Sequence, residues 1–181
     1  MSLQILYERW VKPYEAVWAQ KLTALKSSLD ASNPVQSEIL TVEMDISIRA
    51  PKARVWKALI EDTTFWRPRN FYTSPKASGF HIEPKLGGRM YEDWGDGNGL
   101  VWYRVFGLDA PDCLYLEGCL AHPYGPAHNL LVLRLEEKDG VTILRLNDTT
   151  IGKVDQKCDK EAGWKELFEG AFRPFVLGLE H

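Results

Sequence analysis

Between Phe80 and Ile151 the chain runs through six short stretches in which apolar and polar residues alternate. They are Phe80–Ile82, Met90–Trp94, Leu100–Leu108, Leu114–Ala121, Leu130–Glu136 and Thr142–Ile151. A period of two sends alternate side chains to opposite faces of a strand, so each stretch reads as a strand with one apolar face. The breaks between them, "KLGG", "GDGNG", "DAPD", "HPYGPAH" and "KDG", are turn-forming residues, and Lys138-Asp139-Gly140 is a hairpin signal. A further strand precedes them, with Leu40, Val42, Met44, Ile46 and Ile48 alternating against polar residues. Pro51 opens a helix after it, where a missing N–H costs nothing, and Val55, Trp56, Leu59 and Ile60 share one side. Thr63–Trp66 forms a short turn that Pro68 stops. The last helix spans Lys160 to Gly178, with Trp164, Leu167, Phe168, Ala171, Phe172 and Phe175 on one broad face; Pro174 is expected to kink or fray its final turn.

Residues 3–29 carry a helical stripe of Leu3, Tyr7, Trp10, Tyr14, Val17, Trp18, Leu22, Leu25 and Leu29, interrupted at Pro13. The stripe covers its own chain or makes a homodimer contact. "DASNPVQSE" (30–38) is a polar linker. The organisation expected is therefore a helical extension and linker over 1–38, one domain over 39–178, and a purification-tag remnant at 179–181. A net charge of −3 excludes a broad basic field and argues against nucleic acid as a partner; Arg67, Arg69 and Lys76 read as a solvated edge. Three cysteines (Cys113, Cys119, Cys158) cannot all pair within the chain, and no apolar run approaches the length of a membrane span. The expected setting is a reduced, cytoplasmic one.

The glycine-rich "EPKLGGRMYEDWGDGNG" (83–99) is not a nucleotide loop. No G-x-x-x-x-G-K-[ST] run exists, and a dinucleotide fingerprint needs a helix directly after its glycines. Here Gly88-Arg89 runs into Met90–Trp94, a segment too short for a helix and bounded by more turn residues. The glycines punctuate a sheet.

Four pieces in order carry a family resemblance: "ISIRAPKARVWKALIEDTTFW" (46–66), "FHIEPKLGGRMYEDW" (80–94), "LDAPDCLYLEG" (108–118) and "GWKELFEGAFRPF" (163–175). Over residues 40–178 the chain resembles the START-like (Bet v 1-like, SRPBCC) superfamily, and within it the activator-of-Hsp90-ATPase-homologue branch. The resemblance implies an α+β helix-grip fold: a curved antiparallel sheet of about seven strands wrapped on a long C-terminal helix, here with an extra N-terminal helical segment. It also implies binding of a lipid, polyketide or other small hydrophobic molecule. The physics agrees, since one helix laid across a concave sheet rarely fills it, and the gap left is an apolar pocket.

Candidate cavity residues are Glu92, Trp94, Trp102, Tyr103, Tyr115, His122, Asp148, Trp164, Phe168 and Phe172. By strand parity Glu92 shares a face with Met90 and Trp94, His122 with Leu114, Leu116 and Leu120, and Asp148 with Leu144 and Leu146. Two readings stay open. The three polar groups converge as an acid/base set in an apolar room, or His122 and Asp148 lie at strand ends near solvent, with Glu92 turned outward by a one-residue shift of register, and at most orient a ligand. His122 and His128 flank a loop without completing a metal-ligand spacing, so no metal is expected, and no cofactor. No G-x-S-x-G elbow is present, and Cys119 reads as a packed thiol. Three functions follow: a non-enzymatic binder of a hydrophobic ligand, a polyketide cyclase/aromatase-like enzyme using the same pocket, or an Hsp90 co-chaperone resting on the branch resemblance alone. Binding is the reading the residues favour.

Overall fold

The computed structural model describes residues 38–119, 127–152 and 160–179. The helix expected over 3–29, its break at Pro13, the linker and any dimer contact they make lie outside the described residues. Seven strands form one curved antiparallel sheet: β1 (Glu38–Ile48), β2 (Gly79–Ile82), β3 (Arg89–Gly95), β4 (Asn98–Asp109), β5 (Cys113–Cys119), β6 (Ala127–Lys138) and β7 (Val141–Gly152). Their order is β1-β7-β6-β5-β4-β3-β2, so β2 through β7 are sequential neighbours and β1 closes on β7. Helices α1 (Lys52–Ile60) and α2 (Thr63–Trp66) and a 3-10 turn (Arg69–Phe71) connect the two edge strands.

Turn chemistry sets the register. Between β6 and β7 the ladder closes at Lys138↔Val141, leaving Asp139 (φ 52°) and Gly140 (φ 74°) as the two turn residues. Positive φ at both is the type I′ geometry that matches strand twist. Between β3 and β4, Gly95 pairs with Asn98 around Asp96 (φ 53°) and Gly97 (φ 76°), the same solution. Before β3, a Cβ on Gly88 would stand 2.1 Å from the Glu83 carbonyl oxygen, so only glycine admits that close approach. The glycines of 83–99 are sheet punctuation.

The core lies on the inner face. There β1 contributes Val42, Ile46 and Ile48, β5 Leu114 and Leu116, β6 Leu131, Leu133 and Leu135, and β7 Leu144 and Leu146, all buried. Val55, Ala58, Leu59 and Ile60 of α1 cover one part of this face. Trp66 donates its indole N–H to the Ala58 carbonyl at 2.8 Å and meets the Phe172 ring edge-on at 4.8 Å, tying α2 to the last helix. On the opposite face Arg145 pairs with Glu136 at 3.1 Å and Asp45 at 3.4 Å, and Asn147 donates to Glu43 at 2.7 Å.

The last helix is continuous but not uniform. It runs as α3 (Lys160–Lys165), a π-helical stretch (Glu166–Phe172) and α4 (Arg173–Leu177). Helix continues past Pro174 to Leu177, so the final turn is not frayed. A proline ring in an α-helix collides with the carbonyl four residues back; the widened turns before Pro174 take that carbonyl, of Gly170, out of the α-helical ladder. The end is closed by Gly178 (φ 69°), whose N–H reaches Phe175 O at 3.0 Å while Leu179 N–H reaches Pro174 O at 2.9 Å. That pair of bonds is a Schellman cap. Leu167, Phe168, Phe172 and Val176 face the core.

Candidate functional site

Two carboxylates are buried on the inner face. Glu92, on β3, has no exposed surface. Its Oε1 accepts from Thr73 N–H at 2.9 Å and from the Trp102 indole at 3.0 Å. Its Oε2 accepts from the Thr73 hydroxyl at 2.8 Å and from the Trp94 indole at 3.0 Å. Four donors converge on its two oxygens, so each hydrogen-bonding position of the group is engaged.

Trp102 reaches Glu92 because of a bulge. Met90 pairs with Tyr103 while Tyr91 pairs with Val101, leaving Trp102 as the extra residue of β4. The bulge aims Trp102 and Tyr103, neighbours that would alternate in a regular strand, to the same side. Beside them Arg67 is 9% exposed, its guanidinium 3.8 Å from the Phe80 ring centroid and its Nη2 donating to the Phe71 carbonyl at 3.0 Å. The solvated edge expected at Arg67, Arg69 and Lys76 is corrected at Arg67 only, since aromatic rings close over its guanidinium; Arg69 and Lys76 are exposed. Burial pushes the Tyr72 phenol up, with the charges of Arg67 and Arg69 pulling it back.

The second carboxylate, Asp148 on β7, is 1% exposed and faces the first turn of α3. Its Oδ2 accepts from Lys160 Nζ at 3.0 Å and from the Trp164 indole at 2.9 Å. Its Oδ1 accepts from Asn129 Nδ2 at 3.2 Å. Lys160 also donates to Thr150 Oγ1, which Asn129 Nδ2 reaches at 2.7 Å. Lys160, with 9% of its side chain exposed, and Asp148 thus form a buried ion pair whose remaining valences run into β6 and β7.

Glu92 and Asp148 belong to separate hydrogen-bonding sets. They stand on β3 and β7, four inter-strand steps apart, roughly 19 Å measured along the sheet at about 4.8 Å per step. Their hydrogen-bonding sets share no residue. Inward orientation by parity held for Glu92, Trp94 and Asp148. Trp164 stacks on Phe168 at 5.7 Å, and Phe168 meets Phe172 edge-on at 5.6 Å, so the three expected helix residues form one aromatic row. Tyr115 is a correction. It sits between inward Leu114 and Leu116, so the alternation turns it to the outer face, where its hydroxyl accepts from Arg134 at 3.2 Å. His122 lies outside the described residues.

Asn129, Thr150, Lys160 and Thr73 escaped the sequence reading. Asn129 and Thr150 carried a signal, since each is a polar residue at an inward position of an otherwise apolar alternation: Asn129-x-Leu131-x-Leu133 and Leu144-x-Leu146-x-Asp148-x-Thr150. Lys160 and Thr73 come from helix and loop and carried none.

No protein-family model and no curated protein matches the sequence. Solved structures do match. The structure of Ara h 8.0201 aligns with TM-score 0.54 at 16% identity over 78% of this chain and 99% of that one. Protein MLL2253 from Mesorhizobium loti aligns with TM-score 0.54 at 20% identity, over 78% and 99%. CalU16 from Micromonospora echinospora aligns with TM-score 0.52 at 15% identity, over 81% and 87%. Likeness at such identities concerns architecture, and the architecture is the helix-grip (START/Bet v 1-like) fold.

Proposed function

We propose that this chain binds a small hydrophobic molecule, of lipid or polyketide type, between the inner sheet face and the last helix. The observation that carries the reading is how three indoles are held. Trp94, Trp102 and Trp164 are each partly exposed, and each donates its N–H to a buried carboxylate. A buried charge is costly unless well hydrogen-bonded. Here the charges fix the orientation of flat apolar rings, which is the rigid wall an apolar ligand requires. The helix-grip likeness supports the same reading at the level of fold.

The alternative, a polyketide cyclase/aromatase-like enzyme, needs an acid or base free to act. Glu92 has every acceptor position engaged and Asp148 is ion-paired to Lys160. The co-chaperone reading has only the sequence resemblance behind it. Native mass spectrometry of the purified full chain, followed by titration with 8-anilinonaphthalene-1-sulfonate, tests the proposal. A co-purified apolar mass, or saturable one-to-one dye binding, is expected. The absence of both would overturn it, and chemical conversion of the bound molecule would favour the enzyme.

A further inference from the structure

We propose that Asn129 is the polar anchor of this interior, and that the molecule it takes is an apolar one bearing a neutral hydroxyl. The inference rests on the binding reading above and adds the chemical class of the ligand.

Asn129 is fully buried on β6. Its Nδ2 donates to Thr150 Oγ1 at 2.7 Å and Asp148 Oδ1 at 3.2 Å, both on β7. The amide cannot be turned over, because Asp148, ion-paired with Lys160, accepts only. Its Oδ1 is therefore directed away from β7, and there it has no hydrogen-bond partner among the described residues. A buried carbonyl acceptor without a donor is an unusual expense for a fold. On that side the neighbouring β5 residue is Gly118, which brings no side chain. The Tyr103 ring roofs the spot, 2.9 Å from where a Gly118 Cβ would lie. The protein thus presents an oriented acceptor next to bare backbone and an aromatic face.

Charge decides what completes it. The cluster already holds one carboxylate and one ammonium, matched to each other. A ligand anion would bring a second negative charge to Asp148 and meet an acceptor rather than a donor. A ligand ammonium would stand beside Lys160. A hydroxyl donates to Oδ1 and adds no charge. Oδ1 is sealed from solvent, so the hydroxyl arrives with a displacement of the wall.

The test is equilibrium dialysis of the full chain at neutral pH against naphthalene, 2-naphthol and 2-naphthoate. In the wild type 2-naphthol should bind about 3- to 10-fold tighter than naphthalene, the worth of one neutral hydrogen bond, and 2-naphthoate should bind more weakly than either. Asn129→Leu should keep naphthalene binding and lose the preference. Saturable binding of naphthalene and 2-naphthol with equal affinity in the wild type overturns the anchor and leaves the binding reading intact. A preference that persists in Asn129→Leu also overturns the anchor. Absence of saturable binding for all three probes sinks the binding reading and the anchor with it. The wild-type ranking decides the matter even where the variant fails to fold.

Discussion

Replacing Glu92 by glutamine changes one oxygen into an NH₂ group and nothing in shape, yet the surroundings predict a large loss of stability. Four donors converge on the carboxylate: Thr73 N–H and O–H and the indoles of Trp94 and Trp102. A glutamine oxygen at the Oε1 position keeps Thr73 N–H and Trp102. Each of those bonds loses its charge assistance, a difference of about 1 kcal/mol apiece. The new amide nitrogen meets the Thr73 hydroxyl, which can rotate to accept, and the Trp94 N–H, which cannot. Trp94 is partly exposed and turns toward water at about 1 kcal/mol. The sum is about 2–4 kcal/mol, or about 1–2 M in urea midpoint for a slope near 2 kcal/mol/M. Urea unfolding followed by far-ultraviolet circular dichroism measures it, and near-ultraviolet dichroism should report the loosened indoles. Glu92→Leu, with no acceptor at all, should be worse. A glutamine variant as stable as the wild type, or more so, would mean that relieving a buried charge outweighs the four bonds, and the clamp argument fails.

Asp148→Asn should destabilise by about 3 kcal/mol because it strands the Lys160 ammonium in a nearly closed site; adding Lys160→Met should restore much of that loss, and a double variant no better than the single in guanidinium unfolding would contradict the pairing. At the surface, the Arg89 side chain hydrogen-bonds Glu83 and lowers its carboxyl from 4.5 to about 2. A folded-state value below the unfolded one contributes stability that is complete above pH 4.5 and disappears as pH falls toward 2. Glu83→Gln should therefore flatten part of the acid limb of the stability profile between those values; an unchanged limb refutes the assignment.

Architecture was legible where one local rule dominated. Alternation located all seven strands, and parity turned Glu92 and Asp148 inward because one face of each strand is apolar. The same rule places Tyr115 outside, between two buried leucines; its aromatic character is what suggests otherwise, and packing overrides it. Trp102 and Tyr103 cannot both face inward in a regular strand, and the bulge that permits it depends on the partner β3 rather than on either residue. Arg67 is buried by the fold of residues 71–80 over it, a non-local event that a charge count misses. Which donors surround Glu92 and Asp148 was a question of strand order, which gives the two carboxylates different neighbours although both face inward.

The π-helical stretch bears on how the aromatic row is aligned. An α-helix turns 3.6 residues per revolution, so side chains four apart drift by about 40° at each step, and Trp164, Phe168 and Phe172 would fan out through about 80°. Wider turns over Glu166–Phe172 take up that drift, and the rings remain within 5.6–5.7 Å of their neighbours in a single file. The helix therefore holds slack, like a coil wound one notch loose, and the slack lies within the aromatic row. Were these turns to tighten to ordinary pitch with no residue removed, everything after them would swing by about 100°. Val176 would then leave the core and the cap at Gly178 would point elsewhere, so the tail of the chain is kept in phase with the sheet by turns that are each a little too wide.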